Sequence, residues 1–331
     1  MFDQPTEREA QELIESLGLR FEPGVDDWAG FYDNGRLAAC GARKGYVLKM
    51  LAIAPEFQGT DTLGALVTRL ILSGLAAGHE TLFLFTRPQT ASTFEALNFR
   101  ILATHGTAAL LEHGPGFEAY LAAHPAAPGR NGAIVLNGNP FTLGHLHLAE
   151  HAARQVDRLY LFVVSEDCSV FPFAARLAMA RAATAHLPNV TVLETSRYAV
   201  SAGTFPAYFL KRRDEAALAQ MRLDLDLFAG RIAPAFSILR RFAGDEPLCP
   251  ATRAYNEAMA EVLPGDGVAV SILPRFEAGG APVSATRVRE AFAAGDFQRL
   301  AALVPPSTLQ FLRSDEARPI AGRLRSPLKG A

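Results

Sequence analysis

Apolar and polar positions along this chain switch between a short and a long period, and each switch marks an element. In the second half, the apolar run Ala133–Leu136 predicts a buried strand, and the amphipathic stretch Leu143 to Gln155 predicts the helix after it. The alternation continues through a strand at Leu159–Val164, a helix at Phe173–His186, a strand at Val190–Glu194 and a long helical middle. It ends with a strand at Arg241–Gly244, a helix at Thr252–Val262, a strand at Val268–Leu273 and a helical pattern through Ala294. Strands separated by helices predict a doubly wound parallel sheet that binds ligands at the carboxyl ends of its strands. In the first half, Tyr46–Ile53 reads as a strand, Pro55–Gly59 as a loop, Thr62–Ala77 as a helix and Thr81–Thr86 as a strand. Between the halves, the Pro- and Gly-rich His124–Gly129 follows the helical Glu118–Ala123, which predicts two domains, 1–126 and 130–331.

Composition narrows the function classes. A chain of 331 residues is too long for one core. Its net charge of −2 gives no polyanion-binding signal, so nucleic acid is not an expected partner. Cys40, Cys168 and Cys249 are too few and too widely spaced for a disulfide framework or a metal cluster, and are expected to be buried, reduced thiols. Met1–Leu19 is acidic and amphipathic without the features of a signal peptide, and Arg69, His79 and Glu80 interrupt the longest apolar stretches. A soluble cytoplasmic protein without a membrane partner is expected. The tail after Asp315, with Arg318, Arg323, Arg325 and Lys329, reads as mobile or as a contact for an acidic partner.

The turn after Leu136 carries the most chemistry. It reads Asn137-Gly138-Asn139-Pro140-Phe141-Thr142-Leu143-Gly144-His145 and opens into a helix. Unpaired N–H groups and the macrodipole at a helix N-terminus favour anions, Gly144 permits close approach of a phosphate, and Pro140 stiffens the turn. His145 in the first helical turn either directs an imidazole N–H at the same place or serves only to cap and pack the helix. Near the C-terminus, Val283-Ser284-Ala285-Thr286-Arg287-Val288-Arg289 follows a strand and opens another helix. Ser284 suits the N-cap, while the basic first turn is wrong for the dipole and right for a polyphosphate. The two arginines either hold phosphates or form a solvated face.

Together the T-x-G-H and S-x-T-R-x-R segments resemble the two signatures of the nucleotidyltransferase superfamily, which has a Rossmann-like sheet and cleaves ATP between the α and β phosphates. Within it, longer strings resemble the citrate lyase ligase family: Gly138 to His145, Val164 to Phe173, Ala202 to Lys211, and Gly244-Asp245-Glu246-Pro247 running to Tyr255-Asn256-Glu257. Threonine at the first signature position departs from the superfamily's commoner histidine and agrees with this family. The resemblance implies ATP with Mg²⁺ carried on its phosphates, no side-chain metal ligands, acetate as substrate, and two steps through acetyl adenylate. The acetyl acceptor it implies is a dephospho-coenzyme-A-derived thiol on the citrate lyase acyl carrier protein, or on a similar carrier such as that of malonate decarboxylase.

By the same resemblance, Thr142, His145 and Arg287 are the catalytic candidates. Asn137, Gly138, Asn139, Pro140, Phe141, Gly144, Ser165, Glu246, Ser284, Thr286 and Arg289 are candidates for binding nucleotide and phosphate, and Lys211, Glu166 and Asp167 are further candidates. Ser165-Glu166-Asp167 and Gly244-Asp245-Glu246 fall at predicted strand ends, where they either line the pocket or serve as ordinary turns.

The order strand, Gln58-Gly59 loop, helix and strand in the first half resembles the coenzyme-A-binding core of GCN5-related N-acetyltransferases (GNAT), and Ala91 to Phe99 resembles their F-x-x-x-G-F segment with Asn98 in place of glycine. The whole chain thus reads as α/β: a GNAT-like domain followed by a Rossmann-like nucleotidyltransferase domain. The loop Thr60-Asp61-Thr62-Leu63-Gly64 departs from the acetyltransferase pattern, because Asp61 brings a side chain and a negative charge to the phosphate position. The first domain is therefore either a coenzyme A site or a docking module for a carrier's pantetheine arm. Two other functions stay open from the signatures alone: adenylylation of a phosphate ester such as phosphopantetheine, and an acetyltransferase with a nucleotide-sensing domain.

Overall fold

The protein is described by a computed structural model over residues 1–167, 169–201, 215–246 and 249–325. Cys168, the string Ala202 to Lys211, Pro247 and Lys329 lie outside the described residues. The backbone divides into two compact units, Met1–Ala123 and His124–Ala331.

The first unit is built on a seven-stranded sheet. Its strands are β1 (Phe2–Asp3), β2 (Asp27–Asp33), β3 (Arg36–Lys44), β4 (Val47–Ile53), β5 (Leu82–Thr86), β6 (Phe99–His105) and β7 (Ala108–His113), in the order β1-β2-β3-β4-β5-β7-β6. Only β4 and β5 are parallel, and they pair at Val47↔Phe83 and Leu48↔Leu84 alone. Four helices accompany the sheet: α1 (Glu7–Ser16), α2 (Thr62–Ala76), α3 (Pro88–Glu95) and α4 (Gly116–Ala123). Leu66, Val67 and Leu70 form the buried stripe of α2, and Gly74 lets it close on β5, since a Cβ there would lie 2.7 Å from Leu82 Cδ2. Asn98 has φ +63°, a left-handed conformation that glycine adopts freely and asparagine tolerates.

The second unit has a five-stranded, wholly parallel sheet. Its strands are β8 (Asn131–Leu136), β9 (Leu159–Val163), β10 (Val190–Glu194), β11 (Ile238–Gly244) and β12 (Ala269–Leu273), in the order β10-β9-β8-β11-β12. Every residue of β9, Leu-Tyr-Leu-Phe-Val, is buried, as a strand covered on both faces requires. Helices α5 (Leu143–Ala153) and α6 (Phe173–Thr184) pack on one face, where Ile134, Leu161, Val163 and Phe242 share a core with Phe141 and Phe171. Helices α7 (Glu215–Leu227) and α8 (Pro250–Val262) follow β10 and β11. On that side the Arg241 guanidinium lies 4.3 Å from the centre of the Phe228 ring and donates to Tyr255 Oη, which donates to Asp224.

A two-stranded hairpin, β13 (Glu277–Ala278) and β14 (Ala281–Pro282), leads into α9 (Ala285–Ala294), α10 (Phe297–Ala301), α11 (Pro306–Arg313) and α12 (Arg318–Arg325). The expectation of a mobile tail fails as far as Arg325. Ala317, Ile320, Ala321 and Leu324 recur at helical spacing and enter the core, while Arg318, Arg323 and Arg325 face outward. The uniform thiol expectation also needs correction: Cys40 is buried, but Cys249 is only partly so and stands at the N-cap of α8. No helix among the described residues is long and apolar enough to cross a membrane.

Candidate active site

Parallel pairing places the carboxyl ends of β8, β9, β11 and β12 on one edge of the second sheet. The chain's path reverses between β8 and β11, the switch point at which such sheets form a crevice. The turn that leaves β8 lies at that point. Gly138 has φ +60°, which favours glycine, and the Asn139–Pro140 peptide is cis. Phe141 is buried with its ring centre 5.3 Å from that of His145, so its side chain acts as the floor of the turn.

Thr142 caps α5 through a reciprocal box. The His145 N–H donates to Thr142 Oγ1 at 3.3 Å, and the Thr142 N–H donates to His145 Nδ1 at 3.0 Å. The capping role, one of the two alternatives set out in the sequence, occupies Nδ1 and leaves the other ring nitrogen, Nε2, outside the box. A neutral imidazole that accepts at Nδ1 carries its proton at Nε2, and Nε2 has no hydrogen-bond partner among the described residues. Burial, and then the charge of Arg275, push the His145 pKa down to about 4. The ring is therefore a neutral N–H donor at physiological pH.

Folding linkage has a definite sign here. The folded protein binds fewer protons than the unfolded chain between about pH 4 and the ordinary histidine range. Stability from His145 is thus fully present above that range and is lost as pH falls toward 4. Nitrogen-detected NMR should find the Nε2–H tautomer from pH 5 to 8 with no protonation step for this ring. A titration near 6.5 would refute the assignment.

The second signature meets the first directly. Ser284 caps α9 by accepting the Arg287 N–H at 3.3 Å. Arg289 Nη1 donates to Asn139 O at 2.7 Å and Nη2 to Thr286 Oγ1 at 2.9 Å, joining segments 150 positions apart in the chain. Burial lowers the Arg289 pKa from the usual arginine value without threatening its charge. Arg287 is held differently, with Nη1 donating to Pro282 O at 2.6 Å. A Cβ on Gly144 would lie 3.5 Å from Thr142 Oγ1 and 3.6 Å from Val283 O, ordinary contacts, so its protein neighbours do not demand a glycine.

The other strand ends contribute turn chemistry. The Ser165 N–H donates to Thr195 Oγ1 at 3.0 Å, Asp167 Oδ1 accepts the Phe173 N–H at the start of α6, and Glu246 Oε1 accepts the Cys249 N–H. Two residues with no role in the sequence reading complete the arrangement. Arg275, just after β12, forms an ion pair with Glu246 and donates from Nε to Asp245 O at 3.1 Å. Arg176 is fully buried in α6 and donates to Phe171 O, Asn137 O, Asn137 Oδ1, Val164 O and Glu166 O. Its signal was available in the sequence: Arg176, Met179, Ala180 and Ala183 lie at helical spacing on one buried stripe, an unusual place for a cation.

Comparison with known proteins identifies relatives of the chain. Residues 131–312 match the family model described as the citrate lyase ligase C-terminal domain. A citrate (pro-3S)-lyase ligase of Klebsiella pneumoniae is 44% identical over 287 residues, covering 84% of each chain. One from Escherichia coli is 33% identical over 318 residues, covering 92% of this chain and 90% of its own. A phosphopantetheine adenylyltransferase of Methylococcus capsulatus is 44% identical over 57 residues, 17% of this chain and 35% of that one. Among solved structures, the ribosomal-protein-S18-alanine N-acetyltransferase of Escherichia coli matches 34% of this chain and 92% of its own, with 18% identity and a TM-score of 0.30. With a family model spanning more than half of the sequence and relatives aligned along most of it, this chain belongs to the citrate lyase ligase family.

Proposed function

We propose that this chain activates acetate with ATP and acetylates the prosthetic-group thiol of a citrate lyase acyl carrier protein. ATP enters as its Mg²⁺ complex. In the first step an acetate oxygen attacks the α-phosphorus, the bond to the β-phosphate oxygen breaks, and acetyl adenylate and pyrophosphate form. In the second, the thiol sulfur attacks the acetyl carbonyl, the thiol proton leaves and AMP departs. Acetate is already an anion at neutral pH, so the first step needs donors and cations more than a base. His145 Nε2–H, the Thr142 hydroxyl and the Arg287 guanidinium are assigned to the phosphates, and the backbone of the turn from Asn137 to Gly144 cradles them.

The observation that carries this reading is the neutral His145 donor at the α5 N-terminus, on the turn that Arg289 ties to the second signature. The first unit is assigned to the carrier's pantetheine arm. Because β4 and β5 pair at only two positions and then part, the backbone amides of Lys49 to Ile53 have no partners on β5, and an extended amide-bearing chain suits such an edge. Asp61 at the N-cap of α2 opposes the phosphates of free coenzyme A.

Isotope exchange between pyrophosphate and ATP tests the reading. Exchange is expected only when acetate is present, followed by acetylation of the carrier thiol on addition of carrier. Exchange driven by phosphopantetheine and not by acetate would replace this reading with adenylyl transfer to a phosphate ester. Carrier acetylation from acetyl-CoA without ATP would replace it with an acetyltransferase.

A further inference from the structure

The Arg176 guanidinium gathers three segments at the carboxyl edge of the second sheet: the end of β8 at Asn137, the chain after β9 at Val164 and Glu166, and Phe171 ahead of α6. Two of its contacts fall on one residue. Nη1 donates to the Asn137 backbone carbonyl at 2.9 Å and to its side-chain Oδ1 at 2.8 Å. A guanidinium has donors and no acceptor, so only the oxygen of the Asn137 amide can face it. The amide nitrogen takes the other end, where one N–H meets Ser169 Oγ at 3.0 Å, and the Ser169 hydroxyl is also placed to donate to Asn137 Oδ1 at 3.2 Å. Its second N–H has no partner among the described residues, and it stands on the turn that opens α5. Left without Arg176, the amide could rotate by half a turn and present an acceptor to an anion in place of a donor.

We infer that Arg176 is a positioning residue for the nucleotide reaction, acting through Asn137 by fixing the side-chain amide with its N–H toward the ATP phosphates. The inference rests on the nucleotide reading of this edge. Its test is a double-mutant cycle with Arg176→Lys and Asn137→Ala, reading ATP affinity by calorimetric titration, turnover by pyrophosphate exchange, and melting temperature.

Each single variant is expected to lose about tenfold or more in ATP affinity or turnover, and the double variant to be no more than about twofold worse than Asn137→Ala. Effects that multiply in the double variant, or an Arg176→Lys protein that melts earlier with unchanged affinity and turnover, would overturn the inference and leave the nucleotide reading intact. Wild-type protein that neither binds ATP nor exchanges would instead reject the nucleotide reading, and the inference with it. If Arg176→Lys does not fold, Asn137→Asp carries the test. It keeps an oxygen for the guanidinium and replaces the free N–H, so ATP affinity should drop at least tenfold at near-native melting temperature, and unchanged affinity would overturn the inference.

Discussion

Replacing His145 by alanine is expected to slow acetate-dependent pyrophosphate exchange by about 10²–10³-fold, roughly 2.7–4 kcal/mol of transition-state stabilisation. The expectation follows from the observed cap and the proposed phosphate role of the ring. Nδ1 is occupied by the Thr142 N–H, so Nε2–H is the atom left to meet charge building on the phosphoryl oxygens. A neutral donor serves across physiological pH because burial and Arg275 hold the ring unprotonated until about pH 4. Thr142 stays the N-cap, and loss of the reciprocal bond from the Thr142 N–H to Nδ1 should cost about 1 kcal/mol of stability, a small fall in melting temperature that separates folding from chemistry. Thr142→Ala keeps the imidazole and should reduce the rate less. Wild-type exchange in a folded His145→Ala protein would remove the phosphate-site assignment.

Arg287→Ala is expected to lower turnover by a similar factor, about 10²–10³, with little change in the denaturant midpoint. Only one of its side-chain N–H groups is committed within the described protein, to Pro282 O, which leaves the others for the role proposed at the leaving pyrophosphate. Arg289→Ala should behave differently. That side chain is partly buried and spends Nη1 and Nη2 on Asn139 O and Thr286 Oγ1, so its removal should cost roughly 1–3 kcal/mol of stability and loosen the turn. Steady-state kinetics with parallel urea unfolding distinguish the two. If Arg289→Ala is fully stable and slows turnover as much as Arg287→Ala, the division of labour between the arginines is wrong.

Much of this molecule could be read locally. The five strands of the second sheet and helices α5, α6, α8 and α9 follow from period, and Ser284 is a cap by residue type and spacing, while the hairpin and helices α10 to α12 were missed. The start of β11 was missed because Ile238, Leu239 and Arg240 alternate poorly: Leu239 is half exposed and the pairing shifts between Ile238 and Arg240. The tail was misjudged because its arginines dominate the composition, while the helix is set by four apolar positions. Asp167 and Glu246 were left between pocket and turn. The structure supplies turn hydrogen bonds for both, and for Glu246 an ion pair that the sequence did not pair.

By itself the sequence determined the alternation of strand and helix, the two capped helix starts at Thr142 and Ser284 and the residue types that stand there, because periodicity, capping and turn chemistry act over a few neighbouring residues. Only the tertiary structure decided that β8 lies between β9 and β11, which brings the end of one strand beside segments far along the chain. It also decided that Arg289 closes on Asn139, that Arg275 pairs with Glu246 and sets the charge felt by His145, and that Arg176 turns the amide of Asn137. Those choices depend on which surfaces bury one another once the sheet is wound, and a guanidinium drawn into that interior takes whatever carbonyls and carboxylates the packing leaves within reach.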